Sequence, residues 1–126
     1  MSTLKADTIQ NTSGGAVTLT NQQAAKALCN LDGTGTIAIR ASFNISSVTD
    51  NATAKYVHSF TNSFTDVNNI TAGLNNQANN NNNNNRYVSL PGYASASQVE
   101  TWGIRGDNLA QEDSEFLQIV THGDLA

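Results

Sequence analysis

Three observations in this sequence predict a mainly β fold, an antiparallel sandwich or barrel-like domain. Only 13% of residues are charged while 38% are apolar, so the high charge that accompanies low hydropathy in disordered chains is missing. Asn, Thr and Ser abound, and hydroxyl and β-branched side chains suit pleated surfaces and hydrogen-bonded turns. Apolar residues also recur in short alternating runs punctuated by Gly, Asn and Asp, the pattern of an antiparallel all-β domain. With 126 residues there is room for one domain and a modest core.

Residues 1–27 read as an N-terminal docking and assembly arm, ahead of a β-domain over 28–126. In the arm, Leu4 alternates with Ala6, Ile9 follows out of step, and Val17 alternates with Leu19, around a turn signal at Ser13, Gly14 and Gly15. Two strands alone are marginal in water, so Leu4, Ile9, Val17 and Leu19 need a surface to pair with. The stretch "NQQAAKALCN", residues 21–30, is the best helical candidate: Asn21 can cap it and Ala24, Ala25, Lys26, Ala27 and Leu28 favour helix. At about two turns it depends on packing, and it reads as the joint between arm and domain.

Strand patterns follow. Ile37 and Ile39 alternate, then Phe43, Ile45 and Val48. After a turn come Tyr56, Val57, Phe60 and Phe64, then "RYVSL" up to a Pro91-Gly92 turn. Val99, Trp102 and Ile104 mark another strand, and Phe116, Leu117, Ile119 and Val120 the last. The Asn-rich run over 75–85 reads as a polar loop at a hairpin tip, since lengthening a loop adds little closure entropy. A ladder of amides there could also bind a sugar or a partner chain.

Chemistry is sparsely represented. "DGTGTIAI" has a Gly-x-Gly, but it enters a β-branched run rather than a helix, so it is a turn and not a dinucleotide fingerprint. His58 and His122 are the only histidines and form no paired spacing, so no metal site is expected; His58 is expected at the surface or the edge of the core. Cys29, the single cysteine, excludes an intrachain disulfide and is expected to be buried. Asp107, Glu112, Asp113 and Glu115 read as a solvated acidic loop. No nucleophile–base pair or Gly-x-Ser-x-Gly elbow stands out, so no catalytic residue, cofactor or metal is assigned and the expectation is a non-enzyme. A net charge of −4 with six scattered basic residues argues against nucleic acid as partner. No signal-peptide pattern and no apolar run of membrane-spanning length is present, which predicts synthesis in a cytoplasm without membrane insertion.

"STLKADTIQNTSGGAVTLTNQ" followed by "NLDGTGTIAIRASFNISSVTDN" resembles a group of small tail-fibre-like virion proteins from phages of aquatic bacteria, cyanobacteria especially. In that group a "TLK-D-IQ-TSGG" start precedes a β-rich domain opening "NF-GTGT-AIR-SFN-SS-TDN". The resemblance covers residues 2–64, about half the chain, with both blocks in order; "LCNLDG" stands where "WVNFNG" is frequent. It implies a phage structural protein, a homotrimer located in the virion and attached to other virion subunits through its N-terminal segment. The reading is a fibre-like tail appendage, with Asn79, Asn82, Asn85, Arg86 and Tyr87, and nearby Tyr93, as candidate contacts for a host-surface glycan. Two alternatives stay open: a capsid decoration protein, and a stand-alone carbohydrate-binding module.

Overall fold

In a computed structural model of the chain, residues 12–13, 24–76, 86–89 and 95–126 are described. Eight strands follow in order: β1 Ala27–Asp32, β2 Ala38–Phe43, β3 Ile45–Ala52, β4 Lys55–Phe60, β5 Ile70–Asn76, β6 Arg86–Ser89, β7 Gln98–Arg105 and β8 Phe116–His122. They form two antiparallel sheets of four: sheet A in the order β2-β1-β8-β5 and sheet B in the order β3-β4-β7-β6. The pairings nest, β1 with β8 and β4 with β7, which is the winding of a Greek-key sandwich.

Strict alternation on the central strands builds the core. Ala27, Cys29 and Leu31 of β1 and Leu117 and Ile119 of β8 meet Tyr56 and Phe60 of β4 and Val99 of β7. Phe64 joins them edge-on to Phe60, with ring centroids 4.9 Å apart, a favoured geometry for aromatic quadrupoles. Cys29 is buried as expected, and desolvation pushes its thiol up to about 11.

The expected helix over 21–30 is not formed where the chain is described. Ala24 and Ala25 have no regular structure, and β1 begins at Ala27, with Lys26 N–H already bonded to the Thr121 carbonyl at 2.8 Å. A two-turn helix is marginal, whereas β1 bonds to β2 on one side and β8 on the other and buries three alternate side chains. Pairing and burial outweigh the alanines' helix propensity. The arm residues Leu4, Ile9, Val17 and Leu19 lie outside the described residues.

Between β2 and β3 the chain passes from one sheet to the other at Asn44, which adopts φ +55°. Asn is among the few side chains that tolerate this region. Its amide locks the corner: Nδ2 donates to the Asn62 carbonyl at 3.0 Å and Oδ1 accepts the Asn62 N–H at 2.7 Å.

The Asn-rich run does not cap a hairpin. Its flanking strands belong to different sheets, β5 to A and β6 to B, and each pairs elsewhere. They lie side by side because Gly73 has no side chain: a Cβ there would come within 2.7 Å of Val88 Cγ1. Asn75 Nδ2 donates to the Tyr87 carbonyl across this seam at 3.2 Å.

Candidate interaction surfaces

His58 is fully buried, contrary to its expected place at the surface or core edge, since β4 turns Tyr56, His58 and Phe60 inward together. Its Nε2 lies 3.0 Å from Thr101 Oγ1, whose hydroxyl makes a long 3.5 Å contact to the Tyr56 carbonyl. A proton on Nε2 satisfies both contacts and leaves Nδ1, which has no partner, as a bare lone pair. Desolvation lowers the imidazole to about 4, so it is neutral at pH 7. Its hydrogen-bond partner among the described residues is the Thr101 hydroxyl.

The four acids expected to form one solvated loop are instead dispersed into separate contacts. Asp113 Oδ1 accepts the Ala54 N–H at 2.7 Å and lies 2.9 Å from the Tyr56 hydroxyl, which is also 2.9 Å from the Gly33 carbonyl. Burial first, then Asp113, raise the Tyr56 phenol above its ordinary value. Ala54 is held at φ +58° inside this network. Asp107 and Glu112 lie 2.6 and 3.1 Å from the Arg105 guanidinium, and Glu115 3.6 Å from that of Arg40. Among the described residues no three His, Cys, Asp or Glu side chains come together as a metal site. "DGTG" is a turn as read: Asp32 Oδ1 accepts from the Thr34 hydroxyl at 2.7 Å and from the Thr34 N–H at 3.0 Å. Those bonds, and Arg40 at 2.6 Å, hold Asp32 down to about 2.

Three surfaces remain. On the outer face of sheet B, Ser47, Thr49, Ser59, Gln98 and Glu100 make a polar field. Tyr87, half exposed, pairs with Ile104 at its β6 edge. Nearby, Lys55 Nζ sits 4.2 Å from the Trp102 ring centroid and the indole N–H donates to Glu100, so the sole tryptophan is engaged on its face and at its nitrogen. Of the expected host contacts, Tyr87 is on this surface and Arg86 opens β6, while Asn79, Asn82, Asn85 and Tyr93 lie outside the described residues.

At one end of the sandwich is a cleft of about 510 Å³, lined by Phe64, Asp66, Asn69, Ile70, His122 and Asp124 among others. Asp66 is occupied, accepting from Asn68 N–H at 2.7 Å and Nδ2 at 3.0 Å. The β4–β5 connection places these residues by bridging Phe64 to Leu125.

The outer face of sheet A is different in kind. Register aligns Phe43, Leu28, Val120 and Ala72 across all four strands, and Ala41, Asn30, Gln118 and Leu74 in the next row. Ile70 and Leu74 are 71% and 72% exposed and Phe43 is 55% exposed. Ile39 and Phe43 mark the alternation expected of strands, and all six residues of β2 are exposed. An extra residue in β2, opposite Asn30 and Leu31, explains where Arg40 goes. It lies 4.1 Å from the Phe116 ring centroid and pairs with Asp32 and Glu115, one guanidinium between two carboxylates. The sequence carries one signal of this face: β1 and β8 have apolar residues in both alternation phases, Leu28 beside Cys29 and Leu31, and Phe116 and Val120 beside Leu117 and Ile119. Such strands are built to be covered on both sides.

No protein-family model, curated protein sequence or solved structure matches the chain.

Proposed function

We propose that this chain is a non-enzymatic structural subunit of a phage virion, a fibre-like tail appendage that assembles as a homotrimer and is docked to other virion subunits by its N-terminal arm. One observation carries the structural half of this reading: a β-sandwich whose sheet A presents an uncovered apolar outer face. Extended apolar patches on soluble domains are commonly interaction sites. The motif resemblance over residues 2–64 supports the virion half. The contacts of buried Tyr56 with half-buried Asp113, and of buried His58 with Thr101, tie strands and turns together, which suits a structural role.

Immunogold labelling of intact particles with antibody to this chain tests the reading. Label on tails is the expected result, label on heads would favour capsid decoration, and particles free of label would sink the virion proposal.

One observation favours a second reading, a carbohydrate-binding module. The end cleft sets amides and carboxylates beside an apolar wall of Phe64 and Ile70, and binding pockets combine an apolar lining with a few polar groups in this way. Glycan-array binding lost on Asn69→Ala and Asp124→Ala, with no label on particles, would favour it.

A further inference from the structure

We propose that the outer face of sheet B binds a neutral oligosaccharide. This contact does not rest on the assembly reading, and it places the sugar elsewhere than the end cleft. A groove of about 430 Å³ crosses β3, β4 and β7, lined by Thr49, Asn51, Val57, Ser59, Gln98 and Glu100. All but Val57 are polar, and they project from three strands of one hydrogen-bonded sheet, so their backbones are in place before any ligand arrives. β3 is bulged at both ends, between Ile45 and Ser47 and between Asp50 and Ala52. Bulges bend a strand and re-aim its side chains, and Thr49 and Asn51 line the groove from this bent strand. On β7, Glu100 is oriented by the indole N–H of Trp102, whose ring Lys55 covers.

Hydrogen-bonding capacity separates this groove from the end cleft. Among the described residues, the side chains of Thr49, Asn51, Ser59 and Gln98 make no hydrogen bond within the chain. In the end cleft, Asp66 already accepts from Asn68, and the Asn69 amide donates to the Ser95 carbonyl. Amides and hydroxyls both give and accept hydrogen bonds, which matches a ligand whose surface is mostly hydroxyl. Charge narrows the occupant further. The lining has one carboxylate, Glu100, and no cation, so a phosphate, a sulfate or an acidic sugar finds no charge-assisted partner in it. Lys55, one row along the sheet, is held over Trp102. A protein partner would have Val57 alone to bury.

The aromatic that sugar recognition calls for stands further along the same face. Tyr87 pairs with Ile104 across β6 and β7 and is 52% exposed. Its ring offers a flat apolar platform to the C–H face of a sugar, with a hydroxyl at the rim. Glu100 and Ile104 are separated by about 13 Å of strand β7. A chain of linked sugars reaches both the groove and Tyr87, and a single ring does not.

A glycan array carrying neutral, sulfated and sialylated oligosaccharides, probed with the full chain, tests this. Neutral glycans should bind, and more tightly as they lengthen. On the tightest neutral glycan, Asn51→Ala and Gln98→Ala should each weaken binding about three- to tenfold, the worth of one hydrogen bond. Tyr87→Ala should remove the gain with length. Asn69→Ala in the end cleft should leave binding unchanged, and every variant's circular dichroism spectrum should superimpose on the parent's. Binding that is lost in Asn69→Ala and kept in Asn51→Ala and Gln98→Ala overturns the proposal and returns the sugar to the end cleft. A preference for sulfated or sialylated glycans overturns it, as does an array on which no glycan binds. Neither result bears on assembly, which light scattering on the same chain reads separately.

Discussion

The outward rows of the two sheets are made of different chemistry on the same scaffold. Across sheet A run Phe43, Leu28, Val120 and Ala72; across the centre of sheet B run Thr49, Val57 and Glu100, flanked by Ser47, Ser59 and Gln98. Their inward faces differ less, since both bury alternate side chains in one core. A sandwich needs one apolar face per sheet. Sheet B's outer face is polar at its centre and carries Trp102, Ile104 and Tyr87 only toward β6. Sheet A has a second apolar face that folding does not require, and this surplus is what the proposed assembly uses.

If that account is right, residues of the two faces of sheet A respond to substitution in different ways. Leu31→Ala, at a fully buried position, should cost about 2–5 kcal/mol in urea unfolding. Leu74→Ala should change the stability of the separated chain by no more than about 0.5 kcal/mol. Equal costs at the two positions would erase the distinction between inner and outer faces.

Sheet B's inner face contains an imidazole, His58, whose ordinary value lies close to neutral pH. The folded-state value of His58 is about 4, below the ordinary 6.5, so the unfolded chain binds a proton first as pH falls. Stability is therefore unaffected above about 6.5 and declines as pH drops from there toward 4. Between pH 7 and pH 5 the loss from this group is about 2 kcal/mol. Urea midpoints of the parent and of His58→Gln at both pH values check this: the pH dependence should shrink in the variant. Asp32, held down near 2, loses its contribution only as pH falls below the ordinary carboxylate range, so the two windows separate.

The seam between the sheets gives a smaller effect. Gly73→Ala would force a Cβ against Val88 and should cost about 1–3 kcal/mol through overpacking, with faster hydrogen exchange expected at β5 and β6. On sheet B's wet face, Lys55→Ala removes the cation over Trp102 and should cost about 0.5–1 kcal/mol. Fluorescence of that sole tryptophan reports the change directly.

Much of the sandwich was legible in the sequence because half-buried strands alternate: Tyr56 and Phe60 on β4 and Leu117 and Ile119 on β8 announced their inward phase. On β7 the buried phase is Val99, Thr101 and Gly103, while the bulkier Trp102 and Ile104 face outward; size misleads when a threonine's hydroxyl is satisfied inside. The helix expected over 21–30 gives way to β1 for a related reason, since alanine's local preference says nothing of the two neighbours that β1 acquires. The separation of β5 from β6 into different sheets follows from their pairing with β8 and β7, and β5 meets β8 across forty or more residues of chain, which no local pattern encodes. Of the surfaces, only sheet A's left a sequence trace, in its doubly apolar strands. Asp113 looked like one of several loop acids, and its bonds to Ala54 and Tyr56 span more than fifty residues of chain.

Intermolecular cross-linking at single introduced cysteines probes the central claim most directly, because Cys29 is buried and gives little background. With a short bis-maleimide, Leu74→Cys should yield covalently linked copies while Thr49→Cys, on the outer face of sheet B, stays a single chain. Linkage at position 49 with none at position 74 would contradict the account, placing the meeting surface on the polar sheet.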